Sequence, residues 1–304
     1  MSKPRPVLPR LVWMSTRRTS QRAFLLAPNA TTADVVAFCL FEAAAQYGLE
    51  VCAVVAMSNH YHALLIDWQG QYPRFLCRFH AHVAKVQNAR YGRWENLWAG
   101  AKQTSMVRCV APEDAFAQMI YILTNPVRAH LVARAADWPG LTSLPAQRRD
   151  KTDVVRRPRW FFAREGSVVR DEVEIHYRRL PGFEHLSEEA WRAKIDTAVA
   201  EVEADAAAER ARNGTRVVGR RALRQLSYRD RPQTREPRRQ MSPRIACRDK
   251  LLRIAALEEL KRFEDAYRRA WQNLQAGERA VFPVATWRWT RWRFVACEPP
   301  SQAA

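Results

Sequence analysis

Residues 52–68, CAVVAMSNHYHALLIDW, contain two apolar runs with a short polar break between them. The runs cover 49–57 and 60–67, and only Ser58 and Asn59 separate them, which is the spacing of a tight β-hairpin. Neighbouring side chains on a strand point to opposite faces, so His60 and His62 should lie side by side while Tyr61 points away. Such a pair suits a shared metal ion, although on spacing alone two hydrogen-bonded histidines are the simpler explanation.

The elements on either side of this hairpin alternate between strand and helix. RLVWMSTRR (10–18) has the β-branched and aromatic content of a strand, and TTADVVAFCLFEAAAQYG (31–48) predicts a helix. A helix over about 71–91 follows the hairpin, then a strand in KQTSMVRCV (102–110) and a third helix opened by Pro112. This order predicts an α+β fold, a ferredoxin-like βαββαβ sandwich with an added C-terminal helix.

The composition predicts a polyanionic partner. The 304 residues include 50 Lys+Arg against 31 Asp+Glu, a formal net charge of +19, and nucleic acid is the commonest partner of such a surface. The six cysteines are scattered without a Cys-x-x-Cys pair, which predicts reduced thiols. No apolar run approaches the length of a membrane span, so we expect a cytoplasmic protein without membrane association.

The second half of the chain gives weaker signals. We predict one domain over 1–150 and a basic, largely helical extension of unknown role over 151–304, with helices near 186–212 and 248–275. Arginines and prolines crowd the segment 210–250, which predicts a flexible arm. The tail ATWRWTRWRF (285–294) has the alternation of a strand.

The third helix, within EDAFAQMIYILTNPVRAHLV (113–132), has an apolar and a polar side. At the helical period one stripe is Phe116, Met119, Ile120 and Leu123, and the opposite side is Asp114, Gln118, Tyr121, Asn125 and Arg128. Tyr121 is therefore expected on a polar face, one turn before Asn125. An ordinary surface tyrosine and a capping asparagine would explain the same pattern.

A second His-x-His pair serves as an internal control. His80 and His82 fall on the predicted second helix, where residues two apart point in directions that differ by roughly 200°. They cannot share one ion and are interpreted as packing or surface residues.

Taken together, AMSNHYHALL (56–65) and YILTNPVRAHLV (121–132) resemble the HUH single-tyrosine transposases, and among them the REP-associated tyrosine transposases. The resemblance covers about residues 8–145 and implies a ferredoxin-like catalytic domain. Two positions depart from the usual pattern: Ser58 stands where proline is common, and His130 stands where a small residue is usual.

The resemblance implies a metal-dependent transposase, an enzyme that cleaves and rejoins single-stranded DNA carrying a hairpin or inverted repeat. Tyr121 would be the nucleophile and would form a 5′-phosphotyrosine intermediate. His60 and His62, with Asn125 as a third ligand, would hold Mg²⁺ or Mn²⁺.

Several further residues are candidates for DNA contacts. Arginines near the first strand and beside the tyrosine could neutralise phosphates, namely Arg17, Arg18, Arg22 and Arg128. Four aromatic residues could stack unpaired bases, although large aromatics at element ends are more often core, namely Tyr61, Trp68, Trp94 and Trp98.

Two other functions fit the same residues. One is a nucleic-acid-binding regulator derived from such a transposase that no longer cuts, and a cleavage assay would decide between them. The other is a zinc-bound structural protein, which would retain metal without acting on DNA. The chain is expected to act as a monomer or a homodimer.

Overall fold

The computed structural model describes residues 4–100, 104–144, 153–161, 169–234, 243–287 and 296–298. The first half contains β1 (Leu11–Arg18), α1 (Ala30–Tyr47), β2 (Leu49–Ala56), β3 (His60–Asp67), α2 (Tyr72–Tyr91), β4 (Ser105–Cys109) and α3 (Pro112–Arg128). The second half adds β5 (Asp153–Arg156), β6 (Glu172–Ile175), α4 (Glu188–Asn213), α5 (Arg220–Arg224), β7 (Ile245–Ala246), α6 (Lys250–Gln275), β8 (Val281–Phe282) and β9 (Ala296–Cys297). The predicted α+β class is confirmed, and the first half has the predicted element order.

The central sheet has the strand order β2-β3-β1-β4-β7. Neighbours among the first four strands are antiparallel, whereas β7 adds to the edge in parallel with β4. Helices α1 and α2 pack together over one face, whose core includes Trp13, Tyr61 and Leu65. Helix α3 covers the other face, whose core includes Leu64 and Ile66, and α4 packs on α3. Each sheet face is therefore buried under its own helical layer.

Local hydrogen bonds fix both ends of the hairpin strand β3. In the turn, the Met57 N–H donates to the His60 carbonyl at 2.8 Å, and Val55 is paired with His62. At the far end Asp67 is fully buried, and its carboxylate accepts the N–H groups of Gln71 and Tyr72 at 2.8 Å each. Asp67 thus caps the start of α2, which couples the register of β3 to the following helix.

An ion cluster joins α1 to α2. Glu42 is 4% exposed and accepts a 2.8 Å hydrogen bond from Arg78 Nε, while His82 Nδ1 lies 3.3 Å from its carboxylate. Burial alone would raise the pKa of Glu42, but the hydrogen bonds and charges of His82 and Arg78 outweigh it and lower that pKa to about 2. The predicted packing role of His82 is consistent with this position.

This cluster makes the free energy of unfolding depend on pH in the acidic range. Because the folded pKa of Glu42 lies below its ordinary value of 4.5, its contribution is complete above about pH 4.5 and is lost as the pH falls towards 2. We expect Glu42→Gln to lower the free energy of unfolding at pH 7 by on the order of 2–3 kcal/mol and to lose that acid dependence. Urea unfolding at pH 7 and pH 3 measures both effects, with the exposed Glu201→Gln as control. Equal losses for the two variants would contradict the assignment.

The segment 210–250 differs from the predicted arm where the structure describes it. The N–H groups of Val218 and Gly219 donate to the carbonyls of His130 and Leu131, and Leu223 is buried in the core beneath α3 and α4. Further on, β7 pairs with β4 in the central sheet. These contacts are made by a few backbone hydrogen bonds and one leucine side chain. The arginine-rich composition of the segment therefore did not indicate them. Residues 235–242 lie outside the described part.

The structure describes the two helices predicted in the extension but little of the predicted tail strand. The two helices expected in the extension are present as α4 and α6. Of the predicted tail strand, 285–294, residues 288–294 lie outside the described residues. Within the described ranges, no helix is both long and apolar enough to cross a membrane.

Candidate active site

The structure places His60 and His62 on one face of β3, as the strand period predicts. Their ring centroids lie 4.9 Å apart, with the ring planes at 88°. Across the sheet His60 is paired with Arg18 and His62 with Thr16, so these β1 side chains share the same face. The hairpin end of β3 therefore presents two imidazoles in contact with each other beneath α3.

Each histidine has an oxygen acceptor at Nδ1. Thr16 Oγ1 lies 2.7 Å from His62 Nδ1, and Asn59 Oδ1 lies 2.7 Å from His60 Nδ1. The Asn59 amide is itself oriented, because its Nδ2 donates to the Arg22 carbonyl. In the tautomer whose Nδ1–H groups donate to these oxygens, both Nε2 lone pairs are available to a ligand, which is the arrangement typical of metal-binding histidines.

The sequence prediction missed Thr16 and Asn59, and only Asn59 had a signal in the sequence. Asn59 directly precedes the first histidine, and Thr16 lies on a predicted strand two residues before Arg18. The register that places Thr16 opposite His62 is not readable without the pairing of β1 with β3.

Burial keeps both histidines neutral. It lowers the pKa of His60 to about 4. It also lowers the pKa of His62 well below the ordinary value, and the neighbouring His60 adds to this effect. Neutral imidazole is the form that binds a metal ion.

Helix α3 brings Tyr121 and Asn125 to the histidine pair. The Tyr121 ring packs edge-on against His62, with centroids 5.4 Å apart at 81°. Asn125 Nδ2 lies 3.5 Å from His62 Nε2, and Asn125 is 8% exposed. The helix continues through Pro126, and the Thr124 hydroxyl bonds the Ile120 carbonyl at 2.7 Å. The predicted site residues of β3 and α3 are thus together in one place.

The predicted polar side of α3 is only partly exposed. Asp114 and Asn125 are both buried. Asp114 accepts the N–H groups of Ala111 and Arg248, and Phe116 contacts Trp191 of α4. Asn125 faces His62 of β3 and Asp114 bonds the segment before α6, so both polar side chains have partners inside the protein.

The donor set suits a metal only as a partial shell. It comprises two imidazole nitrogens and, after rotation of its amide, the Asn125 oxygen. Among the described residues, no group of three or more His, Cys, Asp or Glu side chains could hold a metal ion. Mixed nitrogen and oxygen donors of this kind leave coordination positions for water or a substrate oxygen.

On the opposite sheet face lies a hydrogen-bonded chain that includes Arg17. Arg17 Nη1 donates to His80 Nδ1 at 2.8 Å, which leaves His80 Nε2 protonated to donate to the Tyr61 hydroxyl at 2.8 Å. The Tyr61 hydroxyl then lies 2.9 Å from Ser15 Oγ. Arg17 also donates to the Ala99 carbonyl at 3.0 Å. Arg17 was predicted to contact a phosphate. It instead packs on the sheet face opposite the histidines, because neighbouring residues on a strand point to opposite faces and Thr16 and Arg18 take the histidine face.

The other three predicted arginines differ in their positions. Arg18 shares their face of the sheet. Arg128 is exposed and lies two helical turns beyond Tyr121, with its Nε 3.2 Å from Thr124 Oγ1. Arg22 donates to the Thr234 carbonyl at 2.6 Å, so it holds the extension against the domain.

Of the four aromatic residues predicted as stacking candidates, two are buried and two are exposed. Tyr61 is fully buried and Trp98 is 8% exposed, so both belong to the core. Trp68 is 44% exposed and Trp94 is 91% exposed, so only these two could reach an unpaired base.

A separate cavity of about 300 Å³ lies on the other side of the sheet. Its lining includes Trp13 and Met106 of the sheet and Phe263 of α6. Because Trp13 points away from the face of Thr16, this cavity is not part of the histidine site.

The fold and the site define an α+β protein in which a histidine pair on a sheet meets a tyrosine on an adjoining helix. No protein-family model matches the sequence, and no curated protein matches it. In structure the chain is similar to a REP-associated tyrosine transposase bound to a REP hairpin, with 15% identity over 58% of this chain and 96% of that chain and a TM-score of 0.41. It is also similar to a candidate transposase from Deinococcus radiodurans, with 23% identity over 41% of this chain and 97% of that chain and a TM-score of 0.29. At these identities and scores the similarity assigns no activity to this chain.

Proposed function

We propose that the protein is a metal-dependent transposase-like strand transferase that cleaves and rejoins single-stranded, hairpin-bearing DNA through a 5′-phosphotyrosine intermediate. The observation that carries this proposal is the contact between Tyr121 and His62, with the ring centroids 5.4 Å apart. This contact supports a tyrosine nucleophile next to two metal-binding imidazoles at the hairpin end of β3. The basic chain supplies the field that attracts a polyanion.

The reaction conserves the phosphodiester energy. The Tyr121 oxygen attacks the phosphorus and loses its proton, the bond from phosphorus to the 3′ oxygen breaks, and that oxygen leaves as a 3′-hydroxyl after taking a proton. A phosphotyrosine bond replaces the DNA bond. Attack by another 3′-hydroxyl reverses the exchange and joins the strands without a nucleotide cofactor.

The residues of the site have separate roles in this scheme. His60, His62 and Asn125 would hold Mg²⁺ or Mn²⁺, and the ion would supply Lewis-acid stabilisation of charge on the phosphate. Thr16 and Asn59 fix the orientation of the two imidazoles. Arg18 and Arg128 contact flanking phosphates from the strand side and the helix side.

Incubation with labelled single-stranded hairpin DNA and Mn²⁺ tests the proposal. We expect a protein–DNA adduct that survives denaturing electrophoresis, with the label attached only when it lies 3′ of the break. Cleavage without an adduct would indicate metal-activated water and a simple nuclease. Tight binding without any cleavage would favour the regulator that keeps the fold but does not cut.

A further inference from the structure

Six side chains away from the histidine site stack on one another as a continuous series of arginines and aromatic rings. We name this series the arginine–aromatic ladder, and its order is Arg159, Trp160, Arg90, Tyr91, Tyr228 and Arg229. At its centre the rings of Tyr91 and Tyr228 lie 4.2 Å apart and only 11° from parallel. The guanidinium of Arg90 lies over Tyr91 at 5.1 Å and also over Trp160 at 5.6 Å.

Each end of the ladder is an exposed arginine. Arg159 lies 4.2 Å from the Trp160 centroid, and Arg229 lies 5.5 Å from the Tyr228 centroid. The ladder joins three parts of the chain: the end of α2, the residues after β5, and the segment after α5. It therefore exists only when the C-terminal extension is folded onto the first domain.

The guanidinium groups of the ladder contact aromatic rings and neutral oxygen atoms. Among the described residues none of its three guanidinium groups forms an ion pair, and Arg90 is held by neutral acceptors, Thr32 Oγ1 at 2.9 Å and Asn29 Oδ1 at 3.3 Å. Trp94, at 91% exposure, follows Tyr91 by three residues and lies just beyond the end of α2. Exposed cationic and aromatic groups in alternation are what single-stranded nucleic acid binds.

A short segment, held by hydrogen bonds to Arg22, connects the ladder to the candidate active site. From Tyr228 the chain runs six residues to Thr234, a span of at most roughly 20 Å. Thr234 accepts hydrogen bonds from Arg22, and the Arg22 carbonyl accepts from Asn59, which bonds His60. This route passes around the hairpin turn of β3, because the ladder rings pack on the α1 and α2 side of the sheet, opposite the histidine pair.

We propose that the arginine–aromatic ladder and Trp94 bind the unpaired single-stranded DNA that flanks the hairpin. The exposed guanidinium groups of Arg159 and Arg229 bind phosphates, Trp94 stacks an unpaired base, and the inner rings hold these groups in place. This inference rests on the proposed function for the identity of the strand. It also assigns a role in substrate binding to the C-terminal extension, whose role could not be predicted from the sequence.

The test uses the full-length chain with Arg159→Ala, Arg229→Ala and Trp94→Ala combined. These three side chains are exposed, so thermal unfolding should be unchanged. We expect affinity for a hairpin with single-stranded flanks to fall about tenfold or more, and its salt slope to fall by about 1.4 for two lost phosphate contacts. Affinity for the same hairpin with blunt ends should change less than twofold. Binding is followed by fluorescence anisotropy in chelator-containing buffer, so the result does not depend on cleavage.

The matched control removes two exposed arginines elsewhere, Arg262→Ala with Arg268→Ala on α6, and should leave the preference for flanked hairpins intact. Equal losses in the ladder variant and this control would show a general charge effect and overturn the proposal. Equal losses of affinity for blunt and flanked hairpins would also overturn it. A third contrary result would be that RNA flanks raise the affinity through the ladder while DNA flanks do not. If the wild-type chain forms no adduct and flank binding still depends on the ladder, the proposed catalysis fails while this surface stands.

Discussion

Replacing Tyr121 by Phe should abolish the covalent protein–DNA adduct. The substitution removes one hydroxyl and keeps the ring that packs against His62, so the fold and the affinity for hairpin DNA should persist. We expect strand cleavage to fall on the order of 10³-fold or more, since no other group at the site can form the phosphate ester. Denaturing gels of labelled DNA report the adduct, and circular dichroism reports the fold.

The matched control for this experiment is Tyr61→Phe. Tyr61 is the tyrosine closest in sequence to the histidines, but its hydroxyl bonds Ser15 and His80 on the opposite face of the sheet. Its loss should cost on the order of 1 kcal/mol of stability and leave the adduct yield of the folded protein unchanged. An adduct of normal yield from the Tyr121→Phe protein would show that the nucleophile is misassigned.

The hairpin and the histidine pair could be predicted because short-range rules determine them. A two-residue polar break between apolar runs fixes a tight turn, and the strand period of two then fixes which side chains share a face. The observed strands Leu49–Ala56 and His60–Asp67 follow these rules closely. The same period, applied to β1, would have separated Arg17 from Arg18, and strand alternation is the reason that only Arg18 shares the histidine face.

Contacts made by the second half of the chain could not be predicted in this way. Strand β7 has two residues, too few to show any period, and its bonds to β4 are made by the backbone. The burial of Asp114 depends on the Arg248 N–H, which comes from a segment 134 positions away. The stacking of Tyr91 on Tyr228 likewise joins residues that no local pattern connects. Long-range pairing of this kind leaves no periodic signal in the sequence.

Replacing His62 by Ala should separate binding from catalysis. It removes one of two imidazole donors from a site with few protein ligands, so metal affinity and cleavage should both fall, the latter by roughly a hundredfold or more. Hairpin binding rests mainly on phosphate contacts and should change by less than about threefold. Calorimetric titration with Mn²⁺ measures the first effect directly, without relying on activity.

The control for His62→Ala is His185→Ala, which removes an exposed histidine that is not on the sheet. It should leave the Mn²⁺ isotherm and the cleavage rate unchanged. Thr16→Val adds a graded step, because it leaves His62 in place but removes the oxygen that orients its ring at 2.7 Å. An intermediate loss of metal affinity, on the order of 10-fold, is expected from that change. Full cleavage by the His62→Ala protein in chelator-treated buffer would eliminate the metal site, since the remaining His60 and Asn125 cannot supply it alone.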